Sequence, residues 1–386
     1  MNKSLVALAV GAAFAAPSAF ADVTISGAIN MAVEYVSVSD ATSGADDVSN
    51  FGVSSNYSNV TISSVDDLGG GLKLDFAYQI TAPTSSVGGV SNRNSHIGLV
   101  SDSWGGIWYG SNENIYERYY YTVDPLDGAA GLGGNLAIMG TPGGAVFTTY
   151  GGPNDGSGYT WYRRDAQVVW YDSPNFNGFT FGAVWQTNFD ETADTSPMMW
   201  QLGVKYVGTN LPLQAWAAYG DRSDQFGLES FLGTAGATGS SDTAIQIGAG
   251  WTLGDIFIFA NYEMLEYELD GVAGAGINSW ERDAASIGLK WNLASGYLGA
   301  QYIMAMEGDC GLAGGASCAA ADDTGASQIS AGYYHNLSKQ TQAYIVGAYL
   351  DNDDNGTYGT AGIGNGNMFA AGTKVYGIGV GLTHSF

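Results

Sequence analysis

"KVYGIGVGLTHSF", residues 374–386, ends the chain and alternates without a break. Tyr376, Ile378, Val380, Leu382 and Phe386 fall on one side of an extended backbone, and Gly377, Gly379, Gly381, Thr383 and Ser385 on the other. Successive side chains of a strand point to opposite faces, so this segment reads as a strand with one apolar face. The second face is small rather than bulky. That is unlike a soluble sandwich or solenoid, whose sheets pack a filled core.

The same split recurs upstream. Leu72, Leu74, Phe76, Tyr78 and Ile80 oppose Lys73, Asp75, Ala77, Gln79 and Thr81, and similar alternations begin at Phe179, Trp200 and Ala285. Short turns such as "DDLGGG", "SPNFNG" and "NLASG" trade places with long polar loops such as "SDATSGADDVSN" and "DNDDNGTYGTAGIGNGN". Short turns at one rim, long loops at the other and aromatic residues at strand ends are the profile of an outer-membrane barrel. The reading is all-β: a closed antiparallel transmembrane β-barrel, since a spanning sheet must close to satisfy its backbone groups. Sixteen strands are expected, beginning near Val23, Val53, Leu72, Asn94, Ile107, Trp161, Phe179, Met198, Leu213, Thr243, Ile256, Glu281, Tyr297, Ser327, Gln342 and Thr373. An even number leaves both termini on one side.

The start of the chain agrees. Residues 1–21 hold Lys3, an apolar run and Ala19-Phe20-Ala21 before a cut, the form of a secretory signal peptide. Residues 22–386 then make one barrel domain with 37 acidic and 11 basic residues. A chain so acidic is not a nucleic-acid binder. It is not disordered either, because it carries 24 tyrosines, 15 phenylalanines and 10 tryptophans. Cys310 and Cys318, with seven residues between them in a glycine-rich stretch of an exported chain, are expected to form a disulfide stapling a loop. Neither a metal site nor a cofactor is expected: His96, His335 and His384 are scattered, and the calcium-like run from Asp351 lacks the glutamate its twelfth position needs. Enzyme chemistry lacks a nucleophile beside a base. An adhesin using its long loops would need no open lumen.

"DLGGGL" at 67–72, "NRNSHIGLVSDSWGGIWYGSNENIY" at 92–116, "RRDAQVVWYDSPNFNGF" at 163–179 and the terminal Phe386 together resemble the trimeric general diffusion porins of Gram-negative outer membranes, over essentially all of residues 22–386. The resemblance implies a homotrimer, a third external loop (114–160) folded into the barrel as a constriction, and Phe386 as the signal read by the barrel assembly machinery. It implies eyelet acids at Glu113, Glu117, Asp124 and Asp127, and a wall arginine at Arg164. Asn59 and Ser111 stand where the family pattern has arginines, so the wall reads as less basic than usual. Arg93 is a further candidate for the constriction, although alternation puts it on the lipid face unless it sits at the rim or at a bulge. Arg118 is expected to pair with Glu117 or Asp124, and only one of Arg163 and Arg164 to face the lumen. Tyr116, Tyr119, Tyr120 and Tyr121 are expected to anchor the loop, which otherwise shows no regular period.

The function expected is a passive channel for small hydrophilic solutes that prefers cations, because carboxylates select for them. Lipids and lipopolysaccharide, met by acidic loops through divalent cations, are the expected surroundings. The alternative is a substrate-selective porin stacking a sugar on the tyrosine-rich loop, Trp161, Tyr162 and Trp170.

Overall fold

The computed structural model describes residues 22–42, 44–82, 90–126, 132–143, 160–186, 191–192, 196–225, 239–270, 276–315, 318–360 and 370–386. One antiparallel sheet contains β1 (Thr24–Ser39), β2 (Val48–Ser55), β3 (Asn59–Gly69), β4 (Leu72–Thr81), β5 (Asn92–Ser101), β6 (Gly105–Glu113), β7 (Arg164–Asp172), β8 (Phe179–Gln186), β9 (Met198–Val207) and β10 (Leu213–Ser223). It continues through β11 (Ser240–Leu253), β12 (Ile256–Leu269), β13 (Ile277–Leu293), β14 (Gly296–Ala305), β15 (Asp309–Leu312), β16 (Ala326–Asn336), β17 (Thr341–Asn352) and β18 (Lys374–Ser385).

These segments make sixteen staves. β2 and β3 both pair with β1 and are two halves of one stave, broken at residues 56–58, where Tyr57 takes a positive φ of 57°. β15 continues β14 beyond a break, against the upper part of β13. Closure comes from β18 pairing with β1, from Ala28↔Ser385 to Ser39↔Lys374. Beyond it, Gly27 and Phe386 exchange both backbone hydrogen bonds at 3.1 Å. Among the described strands, no backbone edge is left facing lipid.

Alternation sets the two faces. On β18, Tyr376, Ile378, Val380 and Leu382 are exposed, while the glycines between them are covered on the inner side. Those glycines allow close approach: a side chain at Gly377 would strike Leu132, one at Gly379 would press on Glu34, and one at Gly381 would strike the Tyr344 ring. The bare face read from the sequence is therefore the floor on which part of the third loop rests. The sixth stave begins at Arg164 and not near Trp161, because residues 160–163 belong to the loop's return. Cys310 and Cys318 are joined, with Cα atoms 5.6 Å apart, closing the loop that follows β15.

Candidate functional site

The third connection leaves β6 as a helix. α1 (Ile115–Tyr121) was not expected from the tyrosine run, yet its start was legible: Asn114 is three residues before Glu117, and the Asn114 side chain accepts the Glu117 N–H at 2.9 Å. The same side chain donates to the Trp161 carbonyl at 2.9 Å and to Asp165 at 3.1 Å. One residue thus caps the helix and ties the loop's departure to its return.

The described parts of the loop lie along the inner wall. Ile115 sits over Gly182 and Gly203, Tyr119 over Gly203, Leu126 against Gly332 and Leu132 over Gly377. Most of the fastening is done by wall side chains donating to loop carbonyls. The Gly133 oxygen accepts from Gln301 (2.8 Å), Gln328 (3.2 Å) and Ser330 (2.7 Å). Tyr334 donates to Leu126 O at 2.6 Å, Trp280 to Pro142 O at 3.3 Å and Arg222 to Thr160 O at 3.0 Å. Arg282 donates to the carbonyls of Ile138, at 2.9 Å, and Thr141, while also pairing with Glu263. Glu263 in turn accepts from Tyr116 and from the Gly140 N–H. Arg282 and Glu263 are 1% and 0% exposed, so this pair is held dry. Sequence reasoning missed Glu263, Arg282, Arg222 and its partner Asp242. For Arg222, Asp242 and Arg282 the signal was an ionisable residue on a strand face that also carries Ala, Gly or Ser, in a chain poor in charge; Glu263 shares its face with Phe259, Leu265 and Tyr267 and carried no such signal.

Around the start of the loop the structure gathers Glu113, Glu117, Arg164 and Arg93. Arg164 bonds Glu113 at 2.9 Å and Asn94 at 3.0 Å. Arg93 does not face lipid. The β4–β5 register shifts between Tyr78 and Ile80, and the bulge turns Arg93 inward, where it donates to Gln79 at 3.2 Å and lies 4.9 Å over the Tyr57 ring. Glu117 is buried (3% exposed) and accepts from Tyr121 at 2.8 Å. Burial, reinforced by the Glu113 carboxylate and offset by Arg164, pushes its carboxyl up to about 8. Glu117 is thus packed within the cluster and is not displayed to the lumen.

The other expected residues lie apart from this cluster. Asp124 accepts the Leu126 N–H at 2.9 Å, shaping the bend at Pro125, and Asp127 lies outside the described residues. Arg118 pairs with neither Glu117 nor Asp124 but with Asp172 of β7, at 2.8 Å, because the helix turns it toward the wall. Arg163 pairs with Asp165. Asn59 donates to the Tyr57 carbonyl at 2.8 Å and accepts from Gln79 at 3.2 Å; Ser111 stands opposite Ser95, beside a second register shift. Tyr116 and Tyr120 are buried, and Tyr121 meets Tyr57 through their hydroxyls. Trp161, Tyr162 and Trp170 are at most 4% exposed, and the Arg222 guanidinium covers Trp161 at 4.1 Å. They offer no open face on which a sugar could stack. Among the described residues, no group of three or more His, Cys, Asp or Glu is placed to hold a metal ion.

A closed sixteen-stave barrel, apolar outside and polar within, with a loop laid along its inner wall, defines an outer-membrane channel. Residues 6–355 match the family described as Gram-negative porin, and the chain belongs to it. Outer membrane porin protein 32 of Delftia acidovorans is 26% identical over the full length of both chains, and an outer membrane porin protein of Bordetella pertussis is 25% identical, also over both full lengths. Among solved structures, the anion-selective porin from Comamonas acidovorans superposes with a TM-score of 0.70 at 21% identity, covering 95% of this chain and 100% of that one. The trimer form of OmpT from Vibrio cholerae gives 0.63 at 16% identity, covering 95% and 99%. The protein is an outer-membrane porin and not an enzyme.

Proposed function

We propose that the protein is a passive channel for small hydrophilic solutes in which the loop at 114–160 forms the constriction and cations are preferred. The observation that carries the preference is the pairing of cations around the loop. Arg118, Arg163, Arg164, Arg222 and Arg282 each meet a carboxylate: Asp172, Asp165, Glu113, Asp242 and Glu263 respectively. Arg93, Lys205 and Lys290 lie against Tyr57, Thr122 and Tyr297. With arginines neutralised in pairs, the acid excess of residues 22–386 sets the sign of the field a solute meets. The anion-selective porin named above shares the fold at 21% identity, and its selectivity belongs to that protein.

In this reading Tyr116, Tyr119, Tyr120 and Tyr121 anchor the loop, residues 1–21 are removed on export, and Phe386 is the assembly signal. Three copies assemble in lipid and lipopolysaccharide. The test is the reversal potential of the purified protein in a planar bilayer under a potassium chloride gradient. Permeation favouring potassium is expected, and a channel favouring chloride would overturn the preference.

A further inference from the structure

Between the loop and the wall of β1, β3 and β17 lies a cavity of about 310 Å³. Among the described residues that line it, Glu34 is the one carboxylate and there is no lysine or arginine. Glu34 rises over Gly379, where a side chain would crowd it, and its carboxylate is oriented by the Asn56 amide at 3.2 Å. Tyr334 and Tyr344 stack with centroids 5.4 Å apart and planes at 24°, and Leu126 closes the loop side. Stacking on Tyr297 and on Tyr344 occupies both faces of Tyr334, so that ring offers the cavity its edge, which together with Leu126 packs an alkyl group better than a sugar ring.

We propose that this cavity is a transit binding site for small organic ammonium ions. The ammonium group donates to Glu34 and to the neighbouring amide oxygens. Its alkyl body lies against Tyr334, Tyr344 and Leu126. A carboxylate aligned by an amide suits a group with three donors and no acceptor. An anion of the same shape would meet Glu34 with no cation among the lining residues to offset it. The proposal rests on the cation-preferring channel proposed above but adds a ligand class to one cavity.

The experiment records single channels of the reconstituted protein with butylammonium, butanol or butyrate added to one side. Butylammonium is expected to interrupt the current briefly and in proportion to its concentration, and the other two to leave it unbroken. Glu34→Gln should cut the frequency or duration of interruptions roughly tenfold, the scale of one charge-assisted hydrogen bond. Should that variant fail to assemble, Asn59→Lys, which puts a cation into the same cavity, is expected to remove the interruptions. Interruptions unchanged in both variants, or equal for butanol and butylammonium, would overturn the site. The potassium chloride reversal potential of the wild type is read separately. A chloride-preferring channel that butylammonium still interrupts through Glu34 would reject the selectivity reading and leave the site standing.

Discussion

Replacing Arg282 by Met should loosen the loop at 114–160, proposed above as the constriction, while leaving the barrel closed. Arg282 and Glu263 lie on adjacent strands, β13 and β12, and both are buried. The substitution removes Glu263's partner and takes donors from the carbonyls of Ile138 and Thr141. Tyr116 and the Gly140 N–H remain on the carboxylate. Removing one member of a buried ion pair costs about 3–5 kcal/mol. The two orphaned carbonyls would add to this if they stayed dry, but they can regain water by lifting from the wall, so the cost falls on docking of the loop. An opening free energy lowered by about 3–5 kcal/mol raises the undocked population by roughly 10²- to 4 × 10³-fold. The strands themselves are held by a continuous backbone register from Ile256↔Trp291 to Glu268↔Ser279, which the substitution does not touch. Single-channel recording should show added current noise and a larger mean conductance, and amide exchange should accelerate over residues 132–143. Adding Glu263→Gln should restore much of the docking, since no charge is then stranded. Quiet channels in the single variant, or effects of the two substitutions that simply add, would refute the clamp.

Glu117 gives a pH dependence. Its raised carboxyl favours the neutral folded form, so its contribution to stability is complete below the ordinary carboxylate range and is lost as pH rises through about 8. Cation preference should therefore grow with a midpoint near 8, and thermal stability should fall between the ordinary carboxylate range and about 8 and level off above it; Glu117→Gln should flatten both. Replacing Gly377 by Val should drive Leu132 off the inner face of β18, cost roughly 1.5–3 kcal/mol of leucine burial and leave the loop open to proteolysis. An intact, protease-resistant loop would count against that contact. Changing Cys310 and Cys318 to Ala should free a loop that the disulfide stabilises by about 2–3 kcal/mol, seen as cleavage near residue 315 with unchanged conductance. Deleting Phe386 should depress the yield of heat-modifiable barrel in cells far more than refolding in detergent, because two backbone hydrogen bonds at Gly27 are a small part of closure.

The staves were legible because a period of two is written in neighbouring residues, as in β18, β4 and β8. The site was legible only in part. Arg164 and Glu113 were named through the family resemblance, and they bond each other at the start of the loop. Arg93 could not be placed, since its face is decided by an extra residue between Asn92 and Ser95, opposite Gln79, that alternation does not reveal. Glu263 and Arg282 are more than a hundred residues from the loop they hold, and no local pattern joins them to it. Arg118 illustrates the same limit: a helical turn, unread in the tyrosine run, carried it from its neighbours in sequence to Asp172.

The wall grips the loop chiefly by its peptide oxygens: those of Leu126, Gly133, Ile138, Thr141, Pro142 and Thr160 all receive a side-chain donor. Every residue type supplies the same oxygen. On the reading proposed above, in which this loop is the constriction, substitutions at loop positions whose side chains do not touch the wall can therefore alter the width and charge of the passage without loosening its mooring, whereas changes to the donors on the strands unmoor it whatever the loop carries. Permeability and attachment are written in different parts of the chain. A lineage under pressure from a new solute or a toxic one can retune the opening one loop residue at a time and keep a channel that assembles at each step.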